Sequence, residues 1–153
     1  MVPENARLIE RQKKDVLIVD DDDPIRELVT HVLLQRGLTC DRASDGIEAL
    51  EKLEQASYTV ILLDLMMPRM DGISVVSHLR QEVVGAVERP IVFLMTASPP
   101  REELIGTADI VQAVFAKPFD IVRLSNVVTD CIAAARNGQI QLKGPNALDG
   151  FDR

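Results

Sequence analysis

Three apolar runs in this chain end on a residue able to do chemistry: 16–19 runs into Asp20 and Asp21, 60–63 into Asp64, and 91–95 into Thr96. Lys117 follows a further run, 112–116. Four consecutive aspartates, Asp20 to Asp23, raise an immediate difficulty. Two carboxylates about 4 Å apart repel by roughly 4 kcal/mol at an effective dielectric near 20. Carboxylates gathered on loop backbone make an oxygen-rich site for a hard divalent cation, and Mg²⁺ with one or two carboxylates, a carbonyl and retained waters is the usual solution. A carboxylate beside such an ion, a lysine and a hydroxyl is a set of parts for phosphoryl transfer, which asks a protein mainly for in-line geometry and charge neutralisation. In that chemistry Asp64 is the nucleophile that forms an acyl phosphate. The ion would bridge carboxylate and phosphoryl oxygens, Lys117 would meet another oxygen as a point charge, and Thr96 would donate to a third.

These residues need a scaffold that brings distant segments together. Runs at 16–20, 38–42, 59–64, 90–96 and 112–116 suit buried parallel strands. Helical stripes lie between and after them, clearest at Ile25, Leu28, Val29, Val32, Leu33 and at Leu124, Val127, Val128, Cys131, Ile132, Ala135. Gly37 stands where the first helix should stop, and Asp120 where the last should be capped. Residues 45–56 and 73–84 read as two more helices, and 101–109 as a short, weakly patterned one. Strands alternating with helices imply right-handed crossovers and a parallel sheet covered on both faces. The expected fold is therefore α/β: a flavodoxin-like, doubly wound, five-stranded parallel sheet of order 2-1-3-4-5, with its crevice at the carboxyl ends of the strands. All the residues above converge there.

The bulk composition excludes several classes. With 153 residues, 46% apolar, one folded domain is the default. A formal net charge of −7 argues against a general polyanion binder, so no nucleic-acid partner is expected. Cys40 and Cys131 match no metal spacing and read as free, mostly buried thiols, which fits a reducing compartment. No apolar run approaches the ~18 residues of a membrane span, and the polar start lacks a signal-peptide apolar region. A cytoplasmic protein without a membrane partner is expected. Residues 1–14 read as an N-terminal tail, 15–137 as the folded domain and 138–153 as a C-terminal tail or linker.

The combination of VDDDDP, LLDLMMPRMDG, MTAS and AKPF, in this order and with these gaps, resembles the receiver domain of two-component response regulators. The resemblance covers residues 14–136. It implies Asp64 as the phosphoacceptor and Asp20 and Asp21 as the acidic pair, with Asp21 touching Mg²⁺ directly and Asp20 partly through water. It also implies the backbone carbonyl of Met66 as a ligand, Thr96 as the switch hydroxyl, Lys117 as the phosphate-contacting lysine and a cis peptide at Lys117–Pro118. The implied partners are a histidine kinase or phosphotransfer protein, which donates the phosphoryl group, and an unknown downstream protein. A dimer through the face of the fourth helix, fifth strand and fifth helix belongs to the same set of expectations. Such a domain catalyses its own phosphorylation and dephosphorylation without being an enzyme on a metabolite. Two departures bear on the switch. Receivers usually carry Tyr or Phe three residues before the lysine, where this chain has Val114, with Phe115 one place later. Strand alternation puts Phe115 on the face of Lys117 and Val114 on the other. The second departure is GTADIVQA before the fifth strand, in place of the usual Gly-Ala-Asp.

Simpler readings compete. Asp22 and Asp23 could merely cap the first helix at its dipole-positive end. Asp20 and Asp22 have the DxD spacing of a haloacid-dehalogenase-type phosphatase, but Pro24 replaces its usual Thr or Val and no late GDxxxD follows. An EF-hand loop fails because its twelfth position is His31 and its sixth is no glycine. A degenerate receiver that binds proteins without taking phosphate is the third alternative, and the presence of every chemical residue argues against it. His31 and His78 read as helix-surface residues.

Overall fold

The computed structural model describes residues 12–82, 90–97 and 110–138. Five strands, β1 (Gln12–Val19), β2 (Cys40–Ala43), β3 (Ala56–Asp64), β4 (Ile91–Thr96) and β5 (Val111–Ala116), form one parallel sheet in the order β2-β1-β3-β4-β5. Four described helices alternate with them: α1 (Asp23–Gln35), α2 (Gly46–Gln55), α3 (Gly72–Glu82) and α4 (Ile121–Arg136). The weakly patterned helix expected at 101–109 lies outside the described residues.

Side-chain alternation divides the core into two layers. On one face Val16, Ile18, Val60, Leu62, Phe93 and Phe115 pack under α1 and α4, through Val29, Leu33, Leu124, Val128 and Ile132. On the other, Leu17, Val19, Ile61, Leu63, Leu94 and Val114 pack under α2 and α3, through Ala49, Val75, Val76 and Leu79. Central strand β3 is buried on both faces from Val60 to Asp64, which explains its unbroken apolar run.

The helix ends follow from local chemistry. Asp22 caps α1, its side chain accepting from the Ile25 N–H at 3.1 Å, and Pro24 sits in the first turn where its missing N–H costs nothing. Gly37 follows the end of α1 with φ +81, a left-handed conformation suited to glycine. Asp120 caps α4 through the N–H groups of Val122 and Arg123.

Several strand boundaries differ from expectation, β2 spanning Cys40–Ala43 rather than 38–42 and β3 starting at Ala56 rather than 59, and β1 differs most. β1 begins at Gln12, inside the stretch read as a tail, because Gln12, Lys13 and Lys14 lie opposite Ala56, Ser57 and Tyr58 of β3. Polar side chains hid that backbone pairing. β5 carries an irregularity: Val92 lies opposite Val111 but Phe93 opposite Ala113, so one residue, Gln112, is extra. Val111 and Val114 consequently share a face, and Gln112 is left with a buried Nε2 that has no hydrogen-bond partner.

Candidate functional site

Strand register alone assembles most of the site. Val19 lies opposite Leu63, so the next residues, Asp20 and Asp64, emerge side by side at the carboxyl end of the sheet. Thr96 lies opposite Ala116, and the Lys117 N–H donates to the Thr96 carbonyl at 2.8 Å, which brings the lysine to the same edge. Lys117 Nζ then reaches Asp20 Oδ2 at 2.7 Å and Asp64 Oδ2 at 3.2 Å. The remaining oxygen of each aspartate accepts from the backbone two residues on. Asp20 Oδ1 takes the Asp22 N–H at 2.9 Å and Asp64 Oδ1 the Met66 N–H at 3.1 Å. Each carboxylate is thus locked by its own turn and by a shared cation.

Asp20 and Asp64 are buried while Asp21 is exposed, and ligand atoms of the three lie within 4.8 Å of one another. One lysine cannot balance three carboxylates. Burial pushes the Asp64 carboxyl from its usual 3.8 up to about 6, with the Asp20 charge adding to the rise and the Met66 N–H and Lys117 opposing it. Burial would lower the Lys117 ammonium, but its bonds and charge interactions with Asp20 and Asp64 outweigh that and hold it above its ordinary value. Thr96 is fully buried and its Oγ1 has no hydrogen-bond partner. An orphaned hydroxyl beside surplus negative charge is a site short of a ligand. Three carboxylate oxygens within 4.8 Å of one another, two buried and the third exposed on Asp21, are the donor set of a hard cation, so the residues fit Mg²⁺.

The switch candidates separate as alternation predicts. Val114 is buried against the α3 side of the sheet. Phe115 is buried on the α4 side, edge-on to Phe93 with ring centroids 5.9 Å apart. Phe115 therefore fills a core position on the face opposite Val114. The Lys117–Pro118 bond is cis. Asp22 and Asp23 have the plain roles considered above: Asp22 caps α1, and Asp23 accepts from Arg26 at 2.5 Å. Asp22 is therefore occupied, which weakens the DxD reading. Cys40 and Cys131 are free but half-buried rather than mostly buried, since each lies at the margin of the α1/α4 layer. His31 is exposed on α1.

Sequence reasoning missed three supporting residues. Arg26 donates to the Asp20 carbonyl at 2.7 Å and so braces the β1–α1 turn, with the Asp23–Arg26 spacing as the available clue. Asp45 and Arg69 form a two-pronged pair across 24 residues, for which the sequence offers no signal.

Residues 16–129 match the family described as "Response regulator receiver domain". The chain belongs to the response-regulator receiver family. This receiver is 31% identical over 135 residues to the transcriptional regulatory protein SrrA of Staphylococcus aureus, covering 88% of this chain and 54% of that protein. The chain spans about half the length of the curated relatives it matches. Among solved structures, a CheY-like receiver domain protein from Methanospirillum hungatei superposes with a TM-score of 0.71 at 31% identity, over 80% of this chain and 97% of that one. TrrA of Thermotoga maritima, solved in complex with Mg²⁺ and BeF, matches with a TM-score of 0.65 at 28% identity, over 77% of this receiver and 98% of its own chain.

Membership settles the broad class. This is a signalling domain of the two-component type rather than a metabolic enzyme, and such receivers interact with histidine kinases or phosphotransfer proteins. The expectation that nucleic acid is no partner finds no support, because the relatives are named transcriptional regulators. Among the described residues, no helix is long and apolar enough to cross a membrane.

Proposed function

We propose that this receiver takes a phosphoryl group onto Asp64 in a Mg²⁺-dependent reaction and signals by changing its affinity for another protein. The carrying observation is the imbalance at the crevice: three clustered carboxylates and one lysine, bonded to two of them, beside a buried hydroxyl with no partner. Asp21, Asp64 and the Met66 carbonyl would hold the ion directly, with Asp20 acting partly through water. When bound, Mg²⁺ would neutralise charge on the carboxylates and on the incoming phosphoryl oxygens.

The chain's own residues account for the rest. An Asp64 carboxylate oxygen forms the bond to phosphorus as the phosphorus–nitrogen bond of a phosphohistidine breaks, and the imidazole leaves with the bonding pair. Lys117 exchanges its bond to Asp64 for one to a phosphoryl oxygen. Thr96 finds the acceptor it lacks by donating to another, and that contact favours one conformer of the β4 end. Burial of Val114 and Phe115 in opposite layers favours a switch carried by Thr96 over one carried by an aromatic side chain at β5. The phosphoryl donor would be a histidine kinase or phosphotransfer protein, the domain would occupy about residues 12–137, since the sheet already includes Gln12, and the setting would be cytoplasmic. The relatives' title of transcriptional regulator supports DNA control as one output of a longer protein; the −7 charge of this chain supports protein contact as its own.

The test is incubation with Mg²⁺ and acetyl phosphate followed by intact mass. The wild type should gain one phosphoryl group, and Asp64→Asn or a chelator should abolish the gain. A wild type that stays unmodified, or an Asp64→Asn variant that is still modified, would overturn the proposal.

A further inference from the structure

We infer that the turn between β2 and α2 is a yoke that sets the spacing of the two ligand-bearing loops, with Asp45 and Arg69 as positioning residues for the metal site. This rests on the receiver reading of the crevice. The turn is bonded to both loops at once. Its Ala43 carbonyl accepts from the Asp20 N–H at 3.1 Å, which fixes the acidic end of β1. Two residues later Asp45 is gripped by Arg69 of the β3–α3 loop, Nε to Oδ2 at 2.8 Å and Nη2 to Oδ1 at 3.2 Å. Gly46 completes the contact by lying against Met70: a Cβ there would come within 2.5 Å of the Met70 carbonyl oxygen and 2.7 Å of its Cβ. The loop so held is the one that follows Asp64 and carries Met66.

Asp45 is a fixed point. It caps α2 by accepting the Glu48 N–H at 2.8 Å, and Glu48 reaches back to the Ser44 hydroxyl at 2.7 Å. Its side chain is only 12% exposed, against 56% for Arg69. A single-point surface pair would hold little, but a guanidinium forked onto one anchored carboxylate fixes direction as well as distance. The backbone of Arg69 gives an independent sign that this side chain has a task. Arg69 has φ +67, and the Met70 N–H bonds the Pro68 carbonyl at 2.8 Å across it, a tight three-residue turn that glycine would make without strain. The loop closes behind this turn. The Gly72 N–H bonds the Leu65 carbonyl at 3.0 Å, and a Cβ at Gly72 would collide with the Asp64 carbonyl oxygen at 2.4 Å. A shift of the 65–72 loop is therefore a shift of the Asp64 backbone.

The test is a calorimetric Mg²⁺ titration of the wild type, Arg69→Gly, Asp45→Asn, their double variant and Arg69→Lys, with Asp21→Asn as the control that removes a direct ligand. Removing partners that orient metal ligands weakens binding by about 10- to 100-fold, and a strut one bond further out belongs at about tenfold. Arg69→Gly relaxes the strained turn, so it should melt no lower than the wild type and yet bind Mg²⁺ about tenfold more weakly. Asp45→Asn keeps the helix cap and should lose a similar factor, the double variant no more than either single one, and Arg69→Lys less. In amide NMR of the metal-free variants, signals of residues 66–70 should broaden. Unchanged Mg²⁺ affinity in Arg69→Gly and Asp45→Asn, with binding abolished in Asp21→Asn, would overturn the yoke while leaving the receiver reading intact. A wild type that binds no Mg²⁺ would overturn both.

Discussion

Two polar clusters in this receiver are assembled from the same parts, and only one of them is balanced. Across β1, β2 and β3, Asp41 accepts from Lys14 Nζ at 2.9 Å and from the Tyr58 hydroxyl at 2.5 Å. One carboxylate meets one cation, and the hydroxyl is occupied. Although burial acts the other way, the bonds from Tyr58 and Lys14 hold the Asp41 carboxyl below its usual value. At the carboxyl ends of the strands, Asp20 and Asp64 share Lys117 with Asp21 close by, the Thr96 hydroxyl has no partner, and the Asp64 carboxyl is pushed up instead. The first cluster is complete as it stands and reads as structure. On the proposed reading the second is completed by a cation and an anion, and that deficit supports it as the functional one.

Breaking the shared cation should give the largest contrast. In chelator, Lys117→Met leaves Asp20 and Asp64 buried without a counter-charge and should cost about 3 kcal/mol in urea unfolding. Lys14→Met, at a partly solvated pair, should cost about 1 kcal/mol or less. Equal losses would erase the distinction. The hydroxyls should differ in sign. Tyr58→Phe removes a satisfied bond to a carboxylate and should destabilise by about 1 kcal/mol, whereas Thr96→Val removes an unsatisfied group and should leave stability unchanged or raise it by about 1 kcal/mol. The same Thr96→Val should impair the response to phosphorylation, read as loss of the phosphorylation-induced amide shifts at residues 94–97.

Acid titration sharpens the contrast. Because the folded Asp64 carboxyl sits at about 6, above its usual 3.8, the folded state favours its protonated form. That stabilisation is fully present below pH 3.8 and is lost as pH rises through about 6, in metal-free buffer. Asp64→Asn should therefore equal the wild type in stability near pH 4 and exceed it above pH 6. Asp41 is the reverse case: its lowered value adds stability above pH 3.8 that is lost at more acid pH, so Asp41→Asn should weaken the fold at neutral pH. Chemical denaturation across about pH 2 to 7 reads both. The smallest expected effect concerns the thiols. Burial raises Cys40 and Cys131 from 9.0 to about 11, so alkylation of the folded chain near pH 8 should be slow relative to the unfolded chain.

What the sequence revealed follows the same division between local and long-range physics. Gly37 and Asp120 were legible because a helix stop and a helix cap are set within a few residues. The crevice was legible because each of its residues ends an apolar strand, and strand order then brings the ends together. The start of β1 was not, since Gln12, Lys13 and Lys14 owe their strand conformation to pairing with β3 rather than to an apolar pattern. Nor was the extra residue at Gln112, which a pattern of period two cannot carry. The Asp45–Arg69 pair depends on where two turns lie in space, and neither residue stands out in its own neighbourhood.

The most direct measurement of the central claim is to locate the phosphoryl group. After reaction with acetyl phosphate and Mg²⁺, borohydride reduction converts an aspartyl phosphate into an alcohol that peptide mass spectrometry assigns to one residue. The account predicts the label on Asp64 alone, with Asp20, Asp21 and Asp41 unmodified. A label on Asp20, or on Asp41 in the balanced cluster, would contradict it.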